Sequence, residues 1–528
     1  MATVGDAADP LPPQRAAPRG ALSAEEKAKG PTSVRDCATS CTEPLRHPEL
    51  TRPRSPTPSL IASLQVKRTV AVPKHLFVYP AVAYLFYSLW RSGWLPYVAA
   101  YYAIYPFFSP FGNWGVAWRI FKRLLSGPFP GYHWSFNLSG GALLIAKLTL
   151  MYPIETLLWQ LDNLLFPAHR QQEVRKPLFL LGQPRSGTTR FEDILSEDKE
   201  SLVALSLFEM RYPYLTVQYA FDGVNWFDKK FLRGALRYVA FDVLDLNKPF
   251  GGKGDRHQMR RLQYELTDED DILFLFHQMH HFQLCGMFPD EEFVRFFYHF
   301  DQLPERDQDQ ALAFHRQCVQ KVLYRRGQGR NYFAKWVAGW NGQLARARRL
   351  YPDAQYIVIV RSASESLPSW FKLQGLLAKD LVGEDVMERP HLHRFFKEEN
   401  LAWFKNEIEF CRSVPLENLT VLDSDQFYRD IQGDVRKVYE YLGREIAPGS
   451  DFDKFLARTQ QKQVTHRKTK TDESHITQAE IRDEFPDLFK EILAIPGVHS
   501  VHAGLTPVSA KPTPLPTPSP APSPAPFL

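Results

Sequence analysis

A glycine-rich segment between a strand-like and a helix-like stretch constrains this chain more than any other feature. Residues 182–189 read Gly-Gln-Pro-Arg-Ser-Gly-Thr-Thr. The preceding run, 177–181, is typical of a buried parallel strand, and residues 190–195 carry apolar side chains at helical spacing. In a strand–loop–helix unit, inward-facing backbone N–H groups and the positive helix end together attract anions. The segment therefore predicts a loop that binds phosphate.

The residue after the second glycine restricts which phosphate ligand fits this loop. The Walker loop of ATPases and GTPases has Lys at that position, where it reaches the β and γ phosphates. This chain has Thr188 there, and its cation lies inside the loop at Arg185. An ordinary ATPase or GTPase is therefore disfavoured. A nucleotide kinase or other P-loop phosphotransferase stays an alternative, as does a chance Gly/Ser/Thr turn.

A second motif follows another predicted strand. The β-prone run 355–360 ends at Arg361, and Ser369 follows eight residues later. An Arg side chain offers a fork of donors to phosphate oxygens, and a Ser hydroxyl adds another donor. Arg361 and Ser369 thus form a second candidate anion-binding motif at a strand end. Two such motifs in one chain disfavour a chance turn as the explanation of residues 182–189.

These two motifs resemble those of sulfotransferases that use 3′-phosphoadenosine 5′-phosphosulfate (PAPS). In that family the loop binds the donor's 5′-phosphosulfate, and the Arg–Ser pair binds its 3′-phosphate. The resemblance spans residues 176–495 and is supported by Phe208-Glu209, by Lys335 and by the segment 466–481. It implies transfer of a sulfuryl group from PAPS to a hydroxyl or amine, with no metal required.

The resemblance also implies the fold, and the sequence pattern agrees with it. Strand-like runs at 331–335, 355–360 and 419–422 alternate with helix-like stretches. This alternation predicts an α/β protein, a three-layer P-loop-like fold with a mainly parallel central sheet. We expect its domain to cover residues 176–501, with anionic ligands at the carboxyl ends of the strands.

The resemblance assigns roles to individual residues of this domain. Lys335 is expected near the moving sulfonate, and Arg185 is expected to stabilise charge on the leaving phosphate oxygen. The residues expected to bind the donor are Arg185, Ser186, Gly187, Thr188, Thr189, Arg361, Ser369, Arg467 and Lys468.

The chain departs from the family at the catalytic base. Many sulfotransferases have His two residues after the Lys that corresponds to Lys335, but this chain has Val337. Gly339 occupies a position that is His in other relatives. Glu209 matches a carboxylate that acts as base in other branches, so it is the predicted general base. A helix-surface Glu without a catalytic role is the alternative.

Three histidines are the reserve candidates for the base, at His277, His280 and His281. Their helical spacing also suits a metal site, but the Glu of the His-Glu-x-x-His motif is missing. The five Cys residues are scattered, so they predict neither a disulfide framework nor a zinc site.

Composition divides the rest of the chain. Residues 1–75 are rich in Pro, Ala, Ser, Arg and Lys, and residues 502–528 are rich in Pro, Ala, Ser and Thr, so both are predicted to be disordered tails. Residues 76–112 are almost uncharged and rich in aromatic side chains with basic flanks, which predicts a membrane anchor, as a hairpin or a single span. A buried pair of soluble helices is the alternative. Residues 113–175 are predicted to form an amphipathic helical connector.

These features predict the surroundings in which the protein works. We expect a membrane partner, a small-molecule, lipid or glycan acceptor, and a location at the Golgi or another endomembrane. A net charge of +5 is too small to predict binding to nucleic acid. A catalytically inactive membrane adaptor with the same fold is a further alternative. Val337 favours the adaptor, whereas the retained Arg185 and Lys335 oppose it.

Overall fold

The computed structural model describes residues 87–88, 91–111, 122, 147–237, 266–277, 298–382, 388, 390–427, 429–460 and 476–501. The chain divides into two compact units, residues 1–88 and 89–528, and every element below belongs to the second. The tails predicted at 1–75 and 502–528 lie outside the described residues.

A single sheet of parallel strands organises the second unit. Its strands are β1 (Leu178–Gly182), β2 (Leu202–Val203), β3 (Asn331–Trp336), β4 (Gln355–Val360), β5 (Leu419–Asp423) and β6 (His499–Ser500). The order across the sheet is β2-β3-β1-β4-β5-β6, and all the pairings are parallel. This confirms the predicted α/β fold with a parallel sheet.

Helices connect these strands. They are α1 (Leu95–Phe108), α2 (Tyr152–Leu165), α3 (Thr188–Leu195), α4 (Leu207–Arg211), α5 (Leu215–Phe227), α6 (Ala235–Arg237), α7 (Asp271–His277), α8 (Glu305–Arg326), α9 (Gln343–Leu350), α10 (Ala363–Val382), α11 (Pro390–Ser413), α12 (Ser424–Phe427), α13 (Ile431–Tyr441), α14 (Asp451–Gln460), α15 (Gln478–Glu484) and α16 (Leu488–Leu493).

The core lies on both faces of the sheet. Phe179 and Leu181 of β1 belong to one hydrophobic cluster, whereas Leu178 and Leu180 belong to another. Successive strand residues point to opposite faces, so a strand with apolar residues at every position must be covered on both sides. Strand β1 is buried along its whole length, which explains why its sequence reads as a continuous apolar run.

The described part of the predicted connector packs against the sheet domain through a buried ion pair. The Asp162 carboxylate in α2 accepts hydrogen bonds from the backbone N–H groups of Leu215 (2.7 Å) and Thr216 (2.8 Å). It also pairs with the Lys321 ammonium at 2.9 Å. That ammonium lies 3.3 Å from the ring centre of Trp159 in the same helix. Removing one partner of such a buried pair leaves an uncompensated charge, so these contacts hold α2 in place.

The membrane span or hairpin predicted for residues 76–112 is not found in the described part of that range. Helix α1 has 14 residues, with a proline in its first turn, and it ends before Ser109. Pro96 fits the first turn of the helix, and Pro106 lies inside its last turn, where the missing N–H removes a helical hydrogen bond shortly before α1 ends. No helix in the described part of the chain combines the length and the apolar composition that crossing a bilayer requires.

Candidate functional site

The glycine-rich loop begins with a tight turn at the carboxyl end of β1. The Ser186 N–H donates a hydrogen bond to the Gln183 carbonyl oxygen at 3.0 Å, which closes a four-residue turn. Pro184 occupies the second position, and Arg185 occupies the third with a φ of 71°. A turn with Pro second and a positive φ third is of type II, where glycine is the usual third residue. The turn therefore holds Arg185 in a strained backbone conformation, a condition that concentrates at functional sites.

The loop also folds back closely over the end of the strand. A Cβ atom added to Gly182 would lie 2.5 Å from Ser186 Oγ and 2.6 Å from the Ile359 carbonyl oxygen. Because real Cβ atoms do not approach other atoms so closely, only glycine allows the loop to turn at this point.

The start of helix α3 presents unpaired donors. Gly187 precedes the helix with a φ of 98°. No acceptor among the described residues faces the backbone N–H groups of Gly187, Thr188 and Thr189. The buried Ser186 Oγ and Arg190 Nε likewise have no partner within the described ranges. Free N–H groups at a helix N-terminus are a ready site for an anion.

The second motif lies against the first. The Arg185 Nε donates a hydrogen bond to Ser369 Oγ at 2.9 Å, and Arg361 Nη1 donates to the Arg185 carbonyl oxygen at 2.9 Å. Arg361 also pairs with Glu365 at 3.2 Å. The pKa of Arg185 lies below its ordinary value, because protein atoms partly desolvate the guanidinium and the Arg361 charge repels it. Two adjacent guanidinium groups with one carboxylate beside them form an electropositive patch that suits a phosphate.

Lys335 lies near the carboxyl end of β3, on the other side of the loop. Its Nζ donates to Thr189 Oγ1 at 3.2 Å and to Glu192 Oε2 at 3.0 Å. Two further carboxylates lie close to it, those of Glu269 at 3.5 Å and Asp268 at 3.7 Å. Burial alone would lower the pKa of Lys335, but the three carboxylates outweigh burial and raise it, so the ammonium is charged at any physiological pH.

A segment that the sequence analysis did not assign to the site brings two of these acids to Lys335. The Asp270 N–H donates to the Lys335 carbonyl oxygen at 2.9 Å, which holds the segment along the end of β3. The Asp271 carboxylate then accepts the backbone N–H groups of Val337 (2.9 Å) and Ala338 (3.0 Å). The sequence signal available for this segment was the run of acidic residues at 268–271, directly before an apolar helix. Nothing in the sequence ties them to a lysine more than sixty residues further on.

Glu209, the predicted general base, is engaged in structural contacts at the start of α4. It forms a capping box with Ser206 at the start of α4, where its carboxylate accepts the Ser206 N–H at 2.8 Å. The same carboxylate pairs with Arg325 at 2.9 Å and Arg326 at 2.6 Å. Burial alone would raise the pKa of Glu209, but Arg326, Ser206 and Arg325 together lower it. Its oxygens are thus occupied by structural donors, and neither Arg185 nor Lys335 is among them, so its role as base stays a prediction without geometric support.

Of the three reserve candidates for the base, the structure describes only His277. His277 is fully buried, and its ring nitrogens face the Met210 carbonyl oxygen (2.8 Å) and the Glu155 carboxylate (3.3 Å). His280 and His281 lie outside the described residues. A Cβ atom added to Gly339 would lie 2.6 Å from Leu344 Cγ, so the His that some relatives have at this position would not fit here.

The segment predicted to close over the donor is described in part. Arg467 and Lys468 lie outside the described residues. The segment continues into α15, which begins with a capping box between Thr477 and Glu480 and packs against α10. Helix α10 starts just after Arg361, so the described end of the segment lies beside the helix that carries Ser369.

Fold and site together define a protein with a glycine-rich loop, suited to an anion, at the carboxyl edge of a parallel sheet. The chain belongs to the sulfotransferase family, whose profile matches residues 177–448, just over half of its length. No curated protein matches it in sequence.

Two solved structures are similar to the chain. Sulfotransferase STF9 from Mycobacterium avium has 15% sequence identity and a TM-score of 0.53, with 72% of this chain and 90% of that chain covered. Sulfotransferase STF1 from Mycobacterium tuberculosis H37Rv has 14% identity and a TM-score of 0.46, with 66% and 92% covered. At these identities, the likeness to STF9 shows the fold alone.

The strained turn leads to a prediction about Arg185→Gly. Glycine adopts the positive φ without steric cost, so the relief of strain, about 1 kcal/mol, should roughly offset the entropy that glycine adds to the unfolded chain. We expect the free energy of unfolding, measured in urea, to change by less than about 1 kcal/mol. Binding of inorganic pyrophosphate, measured by calorimetry, should be lost.

Arg233 supplies the matched control, because it is a second arginine with a positive φ, 53°, outside the loop. Arg233→Gly should leave both stability and pyrophosphate binding near their wild-type values. Unchanged pyrophosphate binding by Arg185→Gly would show that this guanidinium is not a ligand of the anion.

Proposed function

We propose that this protein is a PAPS-dependent sulfotransferase. The observation that carries the proposal is the contact between Arg185 of the loop and Ser369 of the second motif, at 2.9 Å. This contact joins two candidate anion-binding groups into one site. PAPS likewise carries two anionic groups, at the 5′ and 3′ positions of its ribose. The loop with its free N–H groups suits the 5′-phosphosulfate, while Arg361 and Ser369 suit the 3′-phosphate. Membership of the sulfotransferase family supports the same reaction.

The chemistry that these residues support is in-line sulfuryl transfer. The acceptor oxygen or nitrogen attacks the sulfur and loses its proton to a base, while the bond between sulfur and the 5′-phosphate oxygen breaks. Negative charge then builds on that phosphate oxygen, where the loop N–H groups and Arg185 would stabilise it. Lys335, which contacts Thr189, would lie beside the transferred sulfonate. Rate acceleration then rests on positioning and on preorganised charge, as in phosphoryl transfer.

The site favours this proposal over its two rivals. A kinase of the P-loop type needs a cation after the second glycine, and Thr188 offers none. An inactive adaptor would have no use for a fully buried ammonium held between three carboxylates beside the loop, an arrangement that costs desolvation energy. Such costly charge clusters are typical of catalytic sites.

The donor assignment predicts selectivity for a 3′-phosphate. Calorimetry should show tighter binding of 3′-phosphoadenosine 5′-phosphate than of AMP. Arg361→Ala should weaken bisphosphate binding by about 1.5–3 kcal/mol, the usual contribution of a charge-assisted hydrogen bond, and leave AMP binding nearly unchanged. The matched control is Arg348→Ala, because Arg348, like Arg361, donates a hydrogen bond to a backbone carbonyl oxygen, that of Ser413 at 2.8 Å, and it lies in α9 outside the loop. Equal affinity for AMP and the bisphosphate in the wild type would overturn the assignment.

We also propose Glu269 as the general base, in place of Glu209. A base must lie near the transferred group, be ionised and be open to the acceptor. Three carboxylates surround Lys335, and their side chains are 1% (Glu192), 9% (Asp268) and 31% (Glu269) exposed. Glu269 is thus the one of these three that an acceptor entering from solvent can reach.

This proposal predicts the effect of Glu269→Gln. Turnover should fall by about 10²-fold or more, the scale of a lost general base, with affinity for the bisphosphate nearly unchanged. Glu305→Gln is the control, because Glu305 is a surface carboxylate whose side chain is 85% exposed. Glu209→Gln should instead lower stability, since it weakens a buried pair with two arginines. If Glu209→Gln is folded but inactive while Glu269→Gln turns over normally, Glu209 is the base.

We further propose that the protein binds a membrane surface through exposed apolar residues of α1, α2 and α5. Helix α1 is uncharged along its length, and only Tyr105 in it is buried. A helix that is apolar all round is normally covered. It adjoins α2, because the Tyr101 hydroxyl donates to the Pro153 carbonyl oxygen at 2.5 Å. The exposed apolar residues of α1, α2, α5 and the turn after α5 include Tyr97, Phe107, Leu157, Leu164, Trp226 and Phe231.

Length and charge favour an anionic lipid surface as the partner of this apolar face. At about 1.5 Å per residue, α1 is near 21 Å long, which is short of a hydrocarbon core of about 30 Å. Two exposed lysines, Lys229 and Lys230, accompany the aromatic residues, and the Lys230 ammonium lies 4.8 Å from the ring centre of Trp226. Aromatic side chains with lysines are typical of helices that lie in the headgroup region. A protein bound there would meet lipid or glycolipid acceptors.

The membrane proposal predicts flotation with vesicles that contain anionic lipid. Phe107→Glu should reduce the bound fraction several-fold, and Lys230→Glu should reduce it on anionic but not on neutral vesicles. Lys437→Glu makes the same charge change on α13, outside the apolar face, and should have no effect. If none of these proteins floats and Phe107→Glu converts a dimer to a monomer, the face is an interface between two copies. The endomembrane location stays a prediction.

A further inference from the structure

A buried glutamate contacts the donor-binding turn, and no cation in the described part of the chain balances it. Glu407 lies in α11 and is fully buried. Its Oε2 accepts a hydrogen bond from Gln183 Nε2 at 2.7 Å. No Lys, Arg or His in the described part of the chain pairs with it. An ionised carboxylate in such surroundings is costly, and the usual response of the group is to take up a proton.

The side chains of Gln183 and Glu407 each leave one oxygen without a hydrogen-bond partner among the described residues. Gln183 Oε1 and Glu407 Oε1 are both buried, and neither has a partner among the described residues. Each residue of the pair therefore has one satisfied and one unsatisfied side-chain atom. If Glu407 is ionised, both unsatisfied oxygens are acceptors and no proton is available between them. If Glu407 is protonated, it supplies the donor that the Gln183 oxygen lacks.

We propose that Glu407 is a neutral carboxylic acid whose O–H donates to Gln183 Oε1, so that two hydrogen bonds lock Gln183 and position the donor-binding turn. Glu407 does not touch the reacting atoms in this proposal, and it acts only through Gln183. The role of the turn in binding the donor rests on the proposed function, whereas the acid–amide pair itself does not.

The electrostatic surroundings support the neutral form. Burial raises the pKa of Glu407 to about 8, and the hydrogen bond from Gln183 offsets only part of that rise. Cys411, one helical turn further on, is also buried, and burial together with the Glu407 charge raises the pKa of its thiol. The thiol is therefore neutral wherever Glu407 titrates.

Neither of the elements that pack most closely against α11 brings a charge to Glu407. The turn at residues 338–341 contains no ionisable side chain. Helix α16 carries Lys490 and Glu491, which are both exposed, and Glu491 pairs with Arg412 at 3.2 Å. The titration of Glu407 is thus governed by its burial and by Gln183.

Gln183 links the protonation of Glu407 to the donor site. Its backbone carbonyl accepts the Ser186 N–H and closes the turn, and it comes two residues before Arg185. A side chain locked by two hydrogen bonds holds the first residue of the turn in place. Loss of the proton removes one of these bonds and sets two acceptor oxygens against each other. We therefore expect the site to weaken as the pH rises through about 8.

The test compares wild type with Glu407→Gln across pH. A glutamine at this position can make both hydrogen bonds with Gln183 and cannot titrate. Between about pH 7 and about pH 9.5, the affinity of wild type for 3′-phosphoadenosine 5′-phosphate should fall about fivefold more than that of Glu407→Gln, the effect of one lost hydrogen bond. Ionisation of the nucleotide affects both proteins equally and cancels in the ratio.

Stability supplies a second readout that does not depend on the ligand. Glu407 ionises near its ordinary pKa of 4.5 in the unfolded chain but near 8 in the folded protein. Its contribution to stability is therefore complete below about pH 4.5 and is lost as the pH rises through about 8. The urea midpoint of Glu407→Gln should rise relative to that of wild type over this interval and level off above it.

The outcomes separate this inference from the proposed function. Identical pH dependence of both proteins, in binding and in urea, would overturn the acid–amide pair. If the urea midpoints diverge as expected but neither protein binds the bisphosphate, the donor assignment fails while the pair stands. Inorganic pyrophosphate then serves as the ligand, and an equal pH response of its binding in both proteins would show that the pair does not position the turn.

Discussion

The close return of the loop over the end of β1 is the constraint on which the site depends. There is no room for a Cβ atom at Gly182, since it would meet the Ser186 hydroxyl and the backbone of β4. The type II turn at residues 183–186 follows directly, and it places an arginine where glycine is usual. The backbone of Arg185 is therefore strained, and its side chain places a cation at the edge of the sheet. The helix that follows then presents its free N–H groups to the same side.

Charge is distributed unevenly around this loop. Arg185 and Arg361 lie together, and within the described ranges Glu365 is the carboxylate that pairs with Arg361, so this side of the loop carries excess positive charge. Lys335 lies among three carboxylates on the other side, so that side carries excess negative charge. An anionic donor suits the first side, and the second holds groups that can accept a proton. Carboxylates and adjacent guanidinium groups thus occupy separate regions of one sheet edge.

Buried acids elsewhere in the domain illustrate how surroundings decide the role of a carboxylate. Basic groups face Asp162 and Glu209, and each of these acids joins elements that are distant in the sequence. Glu407 has no basic partner among the described residues, and the amide of Gln183 donates to it. The same functional group therefore pairs with cations in two places and, in our proposal, acts as a neutral hydrogen-bond donor in the third.

The sequence alone determined the main strands of the sheet and the glycine-rich loop, because both rest on local patterns. The four strands predicted at 177–181, 331–335, 355–360 and 419–422 lie within one residue of the observed β1, β3, β4 and β5. The two-residue strands β2 and β6 were missed, since so short a run has no periodicity to detect. What only the tertiary structure decided is which side chains meet. Glu209 was assigned to the site by resemblance but is held by a capping box and two arginines, whereas Asp268 and Glu269 reach Lys335 through a backbone hydrogen bond between distant segments. Local patterns report the conformation of a segment, but contacts between segments far apart in the chain depend on packing, which no single stretch of sequence contains.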